Sequence, residues 1–320
     1  EFAKQLPARA RDDRNLRLAI DHLAEYGGPA SGPNGLSLSQ LESDERWELA
    51  RALRSALRER TYRPGPARQV EIPKSSGRGT RTISIQNLED RVVQRAIVQI
   101  IQPVVNPSFS SHSFGFRPRI GREHALATAE SIATREGLWA WCTDDIADAF
   151  DHVPHKRLLE IVRKALPSDE LVELISIVIG TPGNVGLRQG GSLSPLLLNL
   201  YLDATLDRPW VRQSEGIHLL RYADDLLLIA VDREQAIAAH KRMQGLLRSA
   251  GLKLKATGED ATRDLDAGEP IEWIGYRISR SGGSMRILPT ERSWNSLREH
   301  LERAHMEPDA PLKAIQIIEG

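Results

Sequence analysis

Apolar residues recur at helical spacing along much of the chain. The pattern predicts a short helix over 14–26, ended by Gly27-Gly28, and a second from an Asp44 N-cap to about Arg60. On the second, Trp47, Ala50, Leu53 and Leu57 form one stripe while Arg51, Arg54 and Arg58 line another face. Val92, Val93, Ala96, Ile97, Ile100 and Ile101 predict a helix over 89–102, stopped by Pro103. Further helices are expected over 122–135, 155–166, 170–179 and 195–206, then over 234–249 with Gly251 closing it. A mostly helical tail follows Pro289.

Shorter runs read as strands. Val70 to Ile72 and Thr80 to Ile85 flank a turn at Ser75-Ser76-Gly77, and the tip carries Lys74, Arg78 and Arg81. Leu138 to Thr143 is a strand that ends in Asp144-Asp145. Ile217 to Leu220 and Leu226 to Val231 enclose Tyr222-Ala223-Asp224-Asp225, which reads as strand, tight turn, strand. Trp273 to Ile278 is expected as one further strand. There is no internal repeat and no low-complexity linker. The expected class is α+β, with helices packed on one small antiparallel sheet.

At 320 residues the chain has room for two or three modules. No apolar run approaches the roughly 18 residues that span a bilayer, and no signal-peptide pattern opens the chain, so no membrane partner is expected. Cys142 is the only cysteine, which excludes an internal disulfide and a cysteine-based zinc cluster and fits a reducing, cytoplasmic setting. The formal net charge is zero but unevenly spread. From Arg51 to Arg95 ten Arg and one Lys stand against four acids, a net +7. From Gly258 to Glu272 six acids stand against Arg263 alone. The basic segment suits a phosphate-binding surface or a solvated helix face.

Two adjacent acids at a hairpin turn raise each other's pKa, a cost that a divalent cation removes. Asp is also a common turn residue, so Asp224-Asp225 alone decides little. Asp145 changes the picture, because it too ends an apolar strand and opens the run Asp145-Ile146-Ala147-Asp148-Ala149-Phe150-Asp151. Three carboxylates from two strands can surround two Mg²⁺ ions held about 3.5–4 Å apart, the arrangement that serves phosphoryl transfer.

Tyr222-Ala223-Asp224-Asp225 resembles the Tyr-X-Asp-Asp box of reverse transcriptases, and specifically that of group II intron and related bacterial enzymes. Other blocks agree in order. Ile72-Pro73-Lys74 with Arg81 looks like the fingertip hairpin, and Asp90-Arg91-Val92-Val93-Gln94 like the start of the fingers helix. Ser113-Phe114-Gly115-Phe116-Arg117-Pro118 and Gln189-Gly190-Gly191-Ser192-Leu193-Ser194-Pro195 match two more signatures. Ile274-Gly275-Tyr276 is similar to the strand taken to grip the primer, and the Gly32–Gly35 loop with Tyr62-Arg63-Pro64 to the N-terminal extension. Together they cover about residues 15 to 290. One box is compatible with coincidence; seven in this order are not.

The resemblance implies a right-hand polymerase: an N-terminal extension over 1–62, and fingers over 63–135 with parts of 156–190. The palm would span 136–155 and 191–285, and the start of a thumb 286–320, which reads as cut short. It implies RNA-directed DNA synthesis from dNTPs on an RNA template with a DNA or RNA primer. Asp145, Asp224 and Asp225, with the Ile146 carbonyl, would hold two Mg²⁺ ions, for which Mn²⁺ substitutes. Lys74 and Arg81 would clamp the triphosphate, and Gln189 would contact the nucleotide. Phe150 matches the ring that excludes a 2′-hydroxyl, the alternative being a plain core aromatic. Arg51, Arg54, Arg58, Arg117 and Tyr222 are candidates for nucleic-acid contact.

The chain departs from the family at Arg188, where Pro is usual, and in the fingertip's Arg81-Thr82-Ile83-Ser84. It departs again in Leu252 to Asp260, where no Lys occupies the place of the lysine that relatives keep beside the pyrophosphate and Lys253 or Lys255 would have to substitute. Within the class, a CRISPR-associated enzyme working with adaptation proteins, an anti-phage enzyme with untemplated priming, and a partner of an intron RNA all remain open. A non-catalytic nucleic-acid-binding scaffold is the alternative of another class.

Overall fold

The computed structural model describes residues 2–73, 80–180, 182–213 and 216–306. Along the chain come α1 (Phe2–Ala10), α2 (Asp13–Tyr26) and α3 (Ser43–Arg58), then the hairpin β1 (Arg68–Pro73) and β2 (Thr80–Ile85). After α4 (Leu88–Val105) and α5 (Arg122–Glu136), β3 (Ala140–Asp145) enters the central sheet. Next are α6 (His155–Ala165), α7 (Asp169–Ile179) and α8 (Leu193–Leu202), which widens into a π turn over Asp203–Asp207 before α9 (Arg208–Gln213). The hairpin β4 (His218–Tyr222) and β5 (Asp225–Ala230) precedes α10 (Arg233–Ser249), α11 (Gly258–Ala261) and β6 (Thr262–Asp264). Last come β7 (Ile271–Trp273), β8 (Tyr276–Ser281), β9 (Ser284–Pro289) and α12 (Glu291–His305).

Among the described residues, three antiparallel sheets stand where a single one was expected. They are the pair β1-β2, a four-stranded sheet in the order β4-β5-β3-β6, and a three-stranded sheet in the order β7-β8-β9. The four-stranded sheet is covered on both faces, which explains why its strands read as unbroken apolar runs. Ala140, Cys142, Leu226 and Leu228 point into a large core shared with α2, α3, α4, α6, α7, α8 and α10. Trp141, Leu220, Leu227 and Ile229 point the other way, against Ala125, Ala129 and Ile132 of α5 and against Trp273 and Ile278. Each fully buried Leu or Ile contributes about 1.5–3 kcal/mol, so this double-sided packing anchors the strands that carry Asp145 and Asp225.

Other expectations are corrected. Pro103 does not stop its helix: α4 continues to Val105, because a proline this close to the end forfeits only one terminal hydrogen bond. The run from Trp273 to Ile278 is two strands, since Ile274 (φ 44°) and Gly275 (φ 86°) form a two-residue turn between β7 and β8. α3 starts at Ser43, and the cap is Glu42, whose main-chain N–H is met by the Glu45 side chain, rather than Asp44. The turn at Ser75-Ser76-Gly77 lies outside the described residues.

Candidate active site

The β3–β5 register sets Asp144 opposite Leu226 and Asp145 opposite Asp225. Tyr222 and Asp225 close the β4–β5 hairpin, so Ala223 and Asp224 are the turn itself, with Ala223 at φ 59°. Ile146 N–H donates to the Asp224 carbonyl at 3.1 Å and ties the turn to the end of β3. Along the other side of β3 the segment Lys253–Lys255 runs antiparallel. Lys255 N–H donates to the Asp145 carbonyl (3.1 Å) and Ala147 N–H to that of Lys253 (2.8 Å), so neither bond uses the Ile146 carbonyl.

Three carboxylates thus meet at one end of the sheet, and their electrostatics register the crowding. Burial, followed by repulsion from Asp145 and Asp224, pushes Asp225 up to about 7. Asp224 is raised as well, first by burial and then by Asp145. The Lys255 ammonium forms an ion pair with Asp145 Oδ2. Burial works against that charge, but the Asp145 hydrogen bond and the three carboxylates outweigh it and raise the lysine's pKa. This excess of negative charge on oxygen ligands suits a hard divalent cation. Among the described residues, no group of three or more His, Cys, Asp or Glu side chains is already arranged to hold a metal ion.

Phe150 follows on a 3₁₀ turn (Ala149–His152) and is half-buried against the main core. Its carbonyl accepts Leu187 N–H at 2.6 Å, which docks the loop leading to Gln189 beneath it. Gln189 spans two elements: its carbonyl accepts Ser84 N–H from β2 at 2.9 Å, and its Nε2 lies 3.5 Å from Asp151 Oδ2. Phe116, whose ring is exposed despite its size, stands edge-on to Phe150 with centroids 6.1 Å apart. Phe116 sits at φ 58°, a left-handed conformation costing on the order of 1–3 kcal/mol, of the kind that clusters at functional sites. Beside it, a Cβ on Gly115 would lie 2.3 Å from the amide nitrogen of Ala223. The Ser113–Pro118 loop is therefore pressed directly on the acidic turn.

Behind the turn lies Arg221, 1 % exposed. It grips Asp207 through both Nε and Nη2, and donates to Asn199 Oδ1 (2.8 Å), Ser113 Oγ (2.7 Å) and the Ala223 carbonyl (3.0 Å). A second buried pair, Asp144 with His240 of α10, sits on the inner side of β3. Sequence reading missed Arg221, Asp144, His240 and Phe116. The available signals were a charge inside the apolar run of β4, and a histidine on the face of α10 that carries Ala236, Ala239, Met243 and Leu247.

The remaining candidates fall variously. Arg81 is on β2 opposite Ile72, with its side chain outside the description, and Lys74 lies outside the described residues. Arg51 and Arg58 are exposed on α3, and Arg54 donates to Asp13 at 2.9 Å. Tyr222 packs on the second core. Arg117 is drawn inward rather than toward solvent, because its guanidinium donates to Asn106 and to the Ser110 and Ser113 carbonyls and holds the loop that carries Gly115.

A family model for the reverse transcriptase (RNA-dependent DNA polymerase) matches residues 72–278, the span that contains all three acids. The chain belongs to the reverse transcriptase family. This reverse transcriptase is 29% identical to Protein YkfC of Escherichia coli, over 84% of its own length and 81% of that protein. It is 30% identical to the group II intron-encoded protein LtrA of Lactococcus lactis over 48% of its length, but spans only 27% of LtrA. Apo telomerase from Candida tropicalis shares the fold, with a TM-score of 0.53 at 14% identity over 75% of this chain and 52% of that one. No helix among the described residues is long and apolar enough to cross a membrane.

Proposed function

We propose that this chain copies an RNA template into DNA, joining dNTPs to a primer 3′-hydroxyl. The observation that carries the reading is the pairing of Asp145 with Asp225 beside Asp224, three acids on a doubly packed sheet with Lys255 as their neighbouring cation. The 3′-oxygen forms a bond to the α-phosphorus, the bond from the α-phosphorus to the bridging oxygen breaks, and diphosphate leaves. Asp145, Asp224 and Asp225, with the Ile146 carbonyl, are the groups to hold two Mg²⁺ (or Mn²⁺), which when bound would sharpen the attacking oxygen and offset charge on the leaving group.

The chain's own residues supply the positioning. Arg221 and Gly115 fix the turn that carries Asp224 and Asp225. Phe150 lies under the sugar and excludes a 2′-hydroxyl. Lys74, which lies outside the described residues, and Arg81 are the candidates to bind the triphosphate, and Gln189, on the loop between α7 and α8 that meets β2 and the Phe150 turn, is the candidate to contact the nucleotide. Residues 63–135 with parts of 156–190 serve as fingers, 136–155 with 191–285 as palm, 286–320 as thumb, of which 307–320 lie outside the described residues, and 1–62 as the N-terminal extension. The basic face of α3, with Arg51 and Arg58 exposed, suits the template backbone in a sequence-independent, salt-sensitive contact.

Primer extension on an RNA template with Mg²⁺ tests this reading. Asp224→Ala should abolish DNA synthesis and leave RNA affinity within about threefold, since a carboxylate adds no attraction for template phosphates. Synthesis that survives the substitution would overturn the assignment.

A further inference from the structure

Asp144 and His240 are buried charged or chargeable groups that the reaction above leaves idle. Their side chains are 2 % and 3 % exposed, with His240 Nε2 2.7 Å from Asp144 Oδ2. Taking such a pair out of water costs several kcal/mol per ion before mutual attraction repays it. An apolar pair would fill the same space without that cost. The hydrogen bonds made by the other oxygen of the carboxylate offset that cost. Asp144 Oδ1 accepts the main-chain N–H groups of Asp145 (2.7 Å) and Ala256 (3.0 Å) and shares that of Lys255 (3.2 Å) with the Asp145 carbonyl.

Those bonds matter because of what they hold. Between the end of α10 and the start of α11, the chain is tied to the sheet's edge by a single bridge at Leu254. Just beyond that bridge, Lys255 swings its ammonium onto Asp145. Neighbouring residues of a strand point to opposite faces. Asp144 therefore grips the lysine's main chain on the face of the sheet turned to the main core, while Asp145 meets its ammonium on the other face. His240 pins the Asp144 carboxylate from α10, so the lysine's place is set by a helix, a strand and one buried carboxylate.

We propose that Asp144 and His240 are positioning residues that hold Lys255 at the site, so that nucleotide addition depends on Asp144 through Lys255. The inference rests on the polymerase reading and adds to it that Lys255 presents its positive charge to the departing diphosphate. Neither Asp144 nor His240 touches substrate.

The test is single-nucleotide incorporation by the full chain at saturating Mg²⁺, with Asp144→Ala, Asp144→Asn, Lys255→Ala and the Asp144→Ala/Lys255→Ala double variant, each scored for kcat and for dNTP KM. Lys255→Ala should lower kcat by about 100-fold, the lower end for removing one group that stabilises developing charge. Asp144→Ala should lower kcat by about tenfold with KM within about threefold, because a misplaced group loses rate without losing ground-state binding. Asp144→Asn, which keeps an acceptor oxygen for the amides, should recover most of that loss. The double variant should fall within about twofold of Lys255→Ala, the signature of two residues acting as one unit. Losses that add in full would overturn the proposal.

Amide hydrogen exchange over 252–258 gives a readout that needs no catalysis. Asp144→Ala should speed exchange there while β5 keeps its protection, and unchanged exchange would overturn the proposal. Should Asp144→Ala fail to fold, His240→Gln takes its place, with a smaller kcat loss that vanishes in the Lys255→Ala background and a full loss there counting against the clamp. If the wild-type chain makes no DNA, or Asp224→Ala makes as much, the polymerase reading fails, and the exchange measurement still decides whether Asp144 holds the segment.

Discussion

Asp225 carries a cost that can be measured by removing it. Its carboxyl is pushed from an ordinary 3.8 to about 7 by burial and by Asp145 and Asp224. A folded-state pKa raised above the unfolded value means that the native protein holds this proton more tightly than the unfolded chain does. The resulting penalty on stability is absent below about pH 4, builds as pH rises, and is complete above about pH 7. At about 1.4 kcal/mol per pH unit, a rise from 3.8 to about 7 sets a ceiling of about 4 kcal/mol. Side-chain movement and water entry reduce what is realised to about 1–2 kcal/mol, or several degrees in Tm for a chain of this size. Asp225→Asn should therefore raise Tm at pH 8 in a chelating buffer, and by less at pH 5, while DNA synthesis is lost. Added Mg²⁺ should narrow the gap between variant and wild type by offsetting the same repulsion. The assay is thermal unfolding followed by circular dichroism at the two pH values. An equal gain at both, or a lower Tm at pH 8, would refute the electrostatic account.

Phe150→Ala should admit ribonucleotides, lowering dNTP-over-rNTP discrimination in kcat/KM by at least about tenfold, or 1.4 kcal/mol; unchanged discrimination would defeat the gate. Gly115→Ala places a methyl 2.3 Å from the Ala223 nitrogen, so either the loop or the acidic turn must move. Overpacking of this kind costs about 1–3 kcal/mol, and extension assays on the folded variant should show a loss of at least about tenfold. Arg221→Met leaves Asp207 buried without its partner and should destabilise by roughly 3–5 kcal/mol, read from urea unfolding.

The meeting place of the three acids was legible because local pattern and chemistry agree there. Asp145 and Asp225 each stand where an apolar run meets a turn, and the runs are apolar throughout because the sheet is buried on both sides. Features made by distant pairing were not legible. Asp144 and His240 are 96 residues apart, and nothing local to either announces the other. Lys255 reaches the acids only because a bridge at Leu254 and the Asp144 carboxylate bring its segment against β3. The turn at Ile274 misled for the opposite reason. A β-branched residue argues for strand, yet the packing of Trp273 and Ile278 into the second core imposes a positive φ between them. Proline at position 103 was read as a stop, although only the last turn of α4 follows it.

The wiring of Arg221 bears on what can be transplanted between polymerases. The four residues that follow the apolar run of β4 look like a portable cassette, since their order alone identifies the box. Their geometry belongs instead to one guanidinium that collects Ser113, Asn199, Asp207 and the Ala223 carbonyl, the first of them 108 positions away. A chimera that imports the box and its arginine onto a foreign sheet brings a cation with nowhere to discharge. One that keeps the host's Asp207 while losing the arginine strands an anion. The smallest exchangeable unit is therefore scattered: Tyr222 to Asp225, Arg221, and three side chains on two other segments. Drift at any one of them would be tolerated only with a matching change at another.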